Sequence, residues 1–143
     1  MVMAVGFRTH GVVLAVTSVL GFSPAAHAQP LSGLDTTAIL AACQTPAVET
    51  GCQDLVLQAL AMLDDANLTD EEHAAVIAQI AGAVLEAAQS SSGSTSLLST
   101  VLITVSEASR DADQADAIVN VATLIEGGGA SEIENDVFAA SPA

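Results

Sequence analysis

Apolar residues recur along this chain at the three- and four-residue spacing that places them on one face of a helix. The clearest segment starts at Thr69 and Glu72, which have the spacing of a capping box, in which two side chains accept backbone N–H groups at a helix start. Its two faces are Ile77, Ile80 and Val84, which are apolar, and Glu72, Gln79, Glu86 and Gln89, which are polar. The pattern predicts a helix that ends in the segment 90–96, whose Ser/Gly composition is typical of a flexible linker.

The same periodicity predicts four more helices, at residues 38–43, 52–63, 96–109 and 111–126. Asp35 or Thr36 can cap the first of them, and Asp111 or Asp113 starts the last. Thr45-Pro46 is a further start signal, because proline is favoured at the first helical position. We expect Gly51 to interrupt the chain before the helix at 52–63.

The predicted helix at 96–109 contains the β-branched run 101–105, which alone is also compatible with a strand. No neighbouring segment offers that strand a pairing partner, so a helix is the preferred interpretation. After residue 126, Gly127, Gly128 and Gly129 are expected to end the last long helix and to act as a hinge. Ser131 and Glu134 have the spacing to cap a short final helix or turn.

These elements predict an all-α fold: a small bundle of four main amphipathic helices in two hairpins, with short terminal helices. The segments 75–86 and 117–126 resemble each other faintly, which leaves a helical-repeat-like array open. Two alanine-rich amphipathic helices also match this well by chance. We expect an acidic helical domain at 29–126, followed by a Gly-hinged C-terminal tail with a short helix at 127–143.

Residues 1–28 have the three parts of a secretory signal peptide. Arg8 precedes the uncharged apolar run 11–22, and Pro24 then leads to the small residues Ala26 and Ala28. This places the cleavage between Ala28 and Gln29. The alternative, a retained membrane anchor, is disfavoured because a spanning helix needs about 20 apolar residues. The features look bacterial, and the expected location is periplasmic or extracellular, with no membrane span after cleavage.

The charge balance narrows the range of partners. The chain has a formal net charge of −15, and beyond residue 28 seventeen acidic residues face one base, Arg110. Nucleic-acid binding is excluded because it needs Lys and Arg to neutralise phosphates, and anionic membrane surfaces are disfavoured. Basic partners and loosely held cations remain compatible with this negative charge. Phe138 is the one aromatic residue beyond residue 28, so base or sugar stacking is not expected.

Cys43 and Cys52 are the only cysteines, and an even count in an exported protein predicts a disulfide between them. A redox-active pair usually has C-x-x-C spacing and a lowered thiol pKa. These two are farther apart, and the neighbouring acids Glu49 and Asp54 oppose the thiolate. A structural bond is therefore the preferred interpretation.

The sequence contains no recognisable catalytic, cofactor-binding or metal-binding motif. His73 is the one histidine beyond residue 28, and it is interpreted as a partly buried residue of a first helical turn. The stretch 65–76 is not an EF-hand, because Asp70 replaces the required glycine and Val76 the required glutamate. Weak calcium binding by Asp64, Asp65 and Asp70 stays open. No serine has the G-x-S-x-G setting of a nucleophile.

These observations lead to three hypotheses for function. The first is a non-enzymatic exported protein that binds or assembles with an unknown protein partner or an apolar ligand. The second is a cation-binding or salt-adapted acidic surface protein. The third, an enzyme of unknown type, would need a site assembled from acidic residues and His73. No cofactor is expected, and the sequence leaves the oligomeric state open.

Overall fold

The computed structural model describes residues 31–45, 49–90, 94–134 and 137–138, apart from the side chains of residues 49 and 50. The proposed cleavage between Ala28 and Gln29 lies outside these residues, as does Pro46 of the predicted second start signal. Within the described ranges all regular structure is helical, which confirms the all-α prediction. The elements are α1 Thr36–Gln44, α2 Glu49–Asp65, α3 Asp70–Ser90, α4 Thr95–Ala108, α5 Ala112–Glu126 and a 3₁₀ turn at Ala130–Glu132.

Short polar side chains hold the helix starts where the sequence predicted them. The Thr69 N–H donates to Glu72 Oε2 over 2.9 Å, and the Glu72 N–H donates to Thr69 Oγ1 over 3.2 Å. The predicted capping box is therefore confirmed. Asp35 accepts the N–H of Ala38 at the start of α1, and Asp111 caps α5. Each such cap stabilises its helix by about 1 kcal/mol.

The β-branched segment at 101–105 is helical, as predicted. Thr100 and Thr104 donate their hydroxyl groups to the carbonyls of Ser96 and Thr100, over 2.9 and 3.2 Å. Val101, Leu102 and Val105 are buried against the other helices. Packing and local hydrogen bonds thus outweigh the weak strand preference of the segment.

Two boundary predictions are wrong. Gly51 does not interrupt the chain, because α2 begins at Glu49 and continues through it. A glycine costs a helix only about 1 kcal/mol, and the buried residues Cys52 and Val56 offset this cost. Ser131 does not cap a final helix either, since it lies inside the 3₁₀ turn, whose N-cap is Gly129 without a side-chain bond.

Helix α3 is the centre of the bundle. It packs against α1 on one side and α4 on another, while α4 and α5 pack along each other as a hairpin. Eleven of its residues are buried: His73, Ala74, Val76, Ile77, Ile80, Ala81, Ala83, Val84, Leu85, Ala87 and Ala88. Its many alanines suit packing against several neighbouring helices, and these contacts are consistent with a small helical bundle.

The core includes residues beyond the last long helix. Ala130 and Phe138 belong to the same apolar cluster as the helices, with 7% and 1% of their surfaces exposed. The domain boundary at residue 127 and the hinge role of the three glycines stay predictions. Across the described residues, the helices are too short or too polar to cross a membrane.

Candidate functional site

Cys43 and Cys52 lie at disulfide-bonding distance, with 2.07 Å between their Sγ atoms. The pair joins the last turn of α1 to the first turns of α2. Both residues are buried, Cys43 with 5% and Cys52 with 1% of its surface exposed. A buried position between two helices fits the predicted structural bond.

The three acids considered for weak calcium binding lie at the connection between α2 and α3. Asp64 and Asp65 end α2, Asp70 starts α3, and all three are exposed. Asp70 Oδ1 lies 3.6 Å from Arg110 Nη1, so a cation already occupies the neighbourhood of this carboxylate. Among the residues that the structure describes, no group of three or more His, Cys, Asp or Glu is arranged to hold a metal ion.

His73 is more buried than the sequence suggested. It exposes 1% of its surface, and neither ring nitrogen has a hydrogen-bond partner among the described residues. Burial lowers the pKa of the imidazole below its usual value of 6.5, and the charge of Arg110 lowers it further. Asp64 and Asp70 act in the opposite direction. The prediction of partial burial is wrong because His73 lies on the inner face of α3, with the buried Ile77 one turn further on.

Gln114 on α5 is a buried polar side chain, 2% exposed, that joins three parts of the fold. Its Nε2 donates to the carbonyl of Ala74 on α3 over 2.8 Å and to the carbonyl of Phe138 over 3.0 Å. Its Oε1 accepts the hydroxyl of Ser109 over 2.9 Å. The amide group is therefore satisfied and positions the backbone at Phe138.

Gln89, near the end of α3, also joins its helix to a later part of the chain by hydrogen bonds. Its Nε2 donates to the carbonyls of Ala130 and Ile133, over 3.2 and 2.8 Å. The sequence placed this residue on the polar face of the helix, and there it is half-buried beside the residues that follow α5. Together with Gln114, it attaches the C-terminal segment, defined here as residues 130–134 and 137–138, to the bundle.

This attachment creates a groove between α5 and the C-terminal segment, with a volume of about 550 Å³. Its apolar lining is Ala117, Val121, Leu124, Ile133 and Val137. Leu124 and Val137 remain 53% and 37% exposed, so the groove presents two large aliphatic side chains to solvent. Asn120, Glu132 and Glu134 complete the lining. We call this feature the α5 groove.

A second groove, of about 410 Å³, lies between α1 and α3. Its lining is more polar and includes Thr36, Thr37, Gln79 and Glu86 beside the half-buried Leu40. Gly82 also lines it, and a Cβ atom there would have no neighbour within 4 Å. This groove holds none of the exposed large apolar side chains found among the described residues.

No protein-family model, curated protein or solved structure matches this chain. The α5 groove is the strongest candidate site by its own geometry, since it combines exposed aliphatic side chains with a wall fixed by two buried or half-buried amides.

The roles of both amides were not predicted from the sequence, although each residue carried a signal. Gln114 lies in helical register with Ile118 and Ile125, so it falls on the apolar face of α5. A polar side chain in an apolar stripe must find a partner when it is buried. Gln89 carried a weaker signal, four residues after the buried Leu85.

Proposed function

We propose that this chain is an exported, non-enzymatic protein that binds a partner, and that the α5 groove receives an apolar segment of that partner or an apolar ligand. The observation that carries the proposal is the exposure of Leu124 and Val137, which line one groove from α5 and from the C-terminal segment. The cysteine pair at disulfide distance supports an oxidising destination outside the cytoplasm.

Exposed aliphatic surface favours association, because each Å² of apolar area removed from water contributes about 25 cal/mol. Single exposed apolar residues are common and carry little meaning. Leu57 on α2 and Ile103 on α4 are of this kind, since neither lines a groove described above. Leu124 differs because Val121, Ile133 and Val137 extend its apolar surface into a concave site.

The proposal is tested by the fluorescence of Nile red, an uncharged dye that brightens in apolar sites. An anionic dye is less suitable, because the acidic protein would repel it. We expect the wild-type protein to bind Nile red and Leu124→Gln to lose most of the signal. Ile103→Gln, which removes an aliphatic side chain of similar exposure from α4, should keep it. Equal signals from the two variants, or no wild-type binding, would contradict the proposal.

A further inference from the structure

We propose that the segment received by the α5 groove is a cationic amphipathic peptide of another protein, with aliphatic side chains against Leu124 and Val137 and Lys or Arg side chains beside Glu132 and Glu134. This inference rests on the proposed function and adds the chemistry of the partner. It is carried by the charge distribution around the groove.

The apolar lining is bordered by carboxylates on the side of the C-terminal segment. Glu132 and Glu134 both line the groove and are exposed, and Ile133 between them contributes to its apolar surface. An apolar side chain that enters beside Ile133 therefore brings its flanking residues close to two negative charges. Lysine or arginine at those flanking positions gains opposite-charge contacts on both sides.

The acidic character continues along α5. Asp113, Ala117, Asn120 and Leu124 follow one another at helical spacing and so share a face of the helix. Asp113 is exposed at the N-terminal end of this row. A bound segment that runs along α5 thus meets apolar surface at Leu124 and negative charge towards the start of the helix.

The described residues supply no positive charge to this region. In the described part of the chain the only ion pair is Arg110 with Asp70. Arg110 precedes α5 and Leu124 lies near its end, a separation of roughly 20 Å at 1.5 Å per residue. Glu132 and Glu134 therefore have no basic side chain of the described chain as a partner.

The charges of Glu132 and Glu134 also argue against a second copy of this chain or an uncharged segment in the groove. A second copy placed on this face by twofold symmetry would bring a second set of the same carboxylates into the interface, and the chain has no lysine to relieve the repulsion. An uncharged apolar segment would fit the lining but would partly desolvate both carboxylates without pairing them, which is unfavourable. A cationic amphipathic segment places aliphatic side chains against the apolar lining and pairs its basic side chains with the two carboxylates.

The test uses three labelled helical peptides that share one leucine stripe and carry lysine, glutamine or glutamate at their polar positions. Binding to the residue 29–143 protein is followed by fluorescence anisotropy. A fourth peptide with the lysine composition but a scrambled, non-amphipathic order controls for general attraction to an acidic protein. We expect the amphipathic lysine peptide to bind most tightly and to weaken as salt is added.

Paired substitutions test whether the amphipathic lysine peptide binds at the α5 groove. We expect Glu132→Gln with Glu134→Gln to weaken binding of the amphipathic lysine peptide roughly two- to thirtyfold, the range that two exposed ion pairs span. Asp54→Asn with Glu107→Gln removes the same charge from exposed positions on α2 and α4 and should change the affinity less than twofold. Leu124→Gln should weaken the amphipathic peptide more than the scrambled one.

Three outcomes would overturn the inference. Equal losses from the two double variants would show general electrostatic attraction. A glutamine peptide that binds as tightly as the lysine peptide would show that charge does not select the partner. A dimer in light scattering that Leu124→Gln dissolves would identify a second copy as the occupant. In each case Nile red binding at Leu124 still decides the proposed function separately.

Discussion

Gln114 on α5 donates its side-chain amide to the carbonyl of Phe138, 24 residues further along the chain, over 3.0 Å. The same nitrogen donates to Ala74 on α3, so one buried amide joins the centre of the bundle to its C-terminal segment. Phe138 is itself 1% exposed. The wall of the α5 groove that carries Val137 is thus held through the next residue, Phe138, by its hydrogen-bonded carbonyl and by its buried side chain.

We expect Gln114→Ala to lower the free energy of unfolding by about 2–4 kcal/mol. The substitution leaves the buried carbonyl of Phe138 without this donor, at a cost of about 1–3 kcal/mol. It also removes a second hydrogen bond to the Ala74 carbonyl, which contributes about 0.5–1.5 kcal/mol. Urea unfolding followed by circular dichroism measures the change. Gln58→Ala, at an exposed position on α2, serves as the control and should shift stability by less than about 0.5 kcal/mol.

Gln114→Ala should also reduce Nile red binding at the α5 groove, because Ile133 and Val137 depend on the position of the C-terminal segment. This effect is measured below the unfolding transition, where the helices are intact. If the variant is destabilised but binds the dye as the wild type does, the amide is a stabilising contact without a role in shaping the groove.

Stability is expected to fall on mild acidification through His73. Its pKa is lowered in the folded protein by burial and by Arg110, against Asp64 and Asp70. The unfolded chain therefore binds the proton more readily, so the stabilising contribution is complete above the unfolded pKa near 6.5 and is lost as pH falls towards the lower folded value. Glu72, whose pKa is lowered by hydrogen bonds from Thr69, adds a similar loss at more acidic pH.

The measurement compares unfolding free energies between about pH 7.5 and 5.5, a range centred on the histidine reference value. His73 is the only histidine after residue 28, so His73→Leu removes all histidine titration from the residue 29–143 protein. We expect the variant to show a flatter pH profile than the wild type. Parallel profiles would mean that His73 is protonated equally easily in the folded and unfolded chains.

Reduction of the Cys43–Cys52 bond is expected to lower stability by about 2–3 kcal/mol, because the bond closes a short loop in the unfolded chain. Thermal unfolding with and without reductant measures the effect. The double variant Cys43→Ala with Cys52→Ala should unfold at a lower temperature and no longer respond to reductant. A reductant response that persists in this variant would assign the effect to something other than the bond.

The caps at the starts of α1, α3 and α5 were predictable because their causes are local. Thr69 and Glu72 satisfy each other's backbone groups within one turn, and Asp35 and Asp111 reach N–H groups three residues away. No distant contact is needed to read such signals. Gly51 shows the opposite case, since its local preference to break the helix is overridden by the packing of α2.

The candidate site was not predictable to the same degree. Gln89 and Gln114 bond to carbonyls 24 to 44 residues away, and only the folded backbone brings those groups together. The α5 groove depends on both contacts. The exposed Leu124 directly precedes the buried Ile125, so its position outside the core follows from packing rather than from its residue type.

Gly82 provides a last test, because its helical position gives glycine no evident advantage within the fold. An added Cβ atom would have no neighbour within 4 Å. We expect Gly82→Ala to raise the free energy of unfolding by about 0.5–1 kcal/mol, since alanine loses less backbone entropy in a helix. Nile red binding should be unchanged, because Gly82 lines the groove between α1 and α3 and not the α5 groove.

Gly33 contrasts with Gly82, because alanine at position 33 should destabilise the fold. Its φ of +99° is rarely adopted by other residues, and an added Cβ would lie 2.8 Å from Met62 Cε. Gly33→Ala should therefore lower stability while Gly82→Ala raises it, both measured by urea unfolding. If Gly82→Ala instead lowers stability or changes the oligomeric state in light scattering, the open space at Gly82 is used by a contact outside this chain.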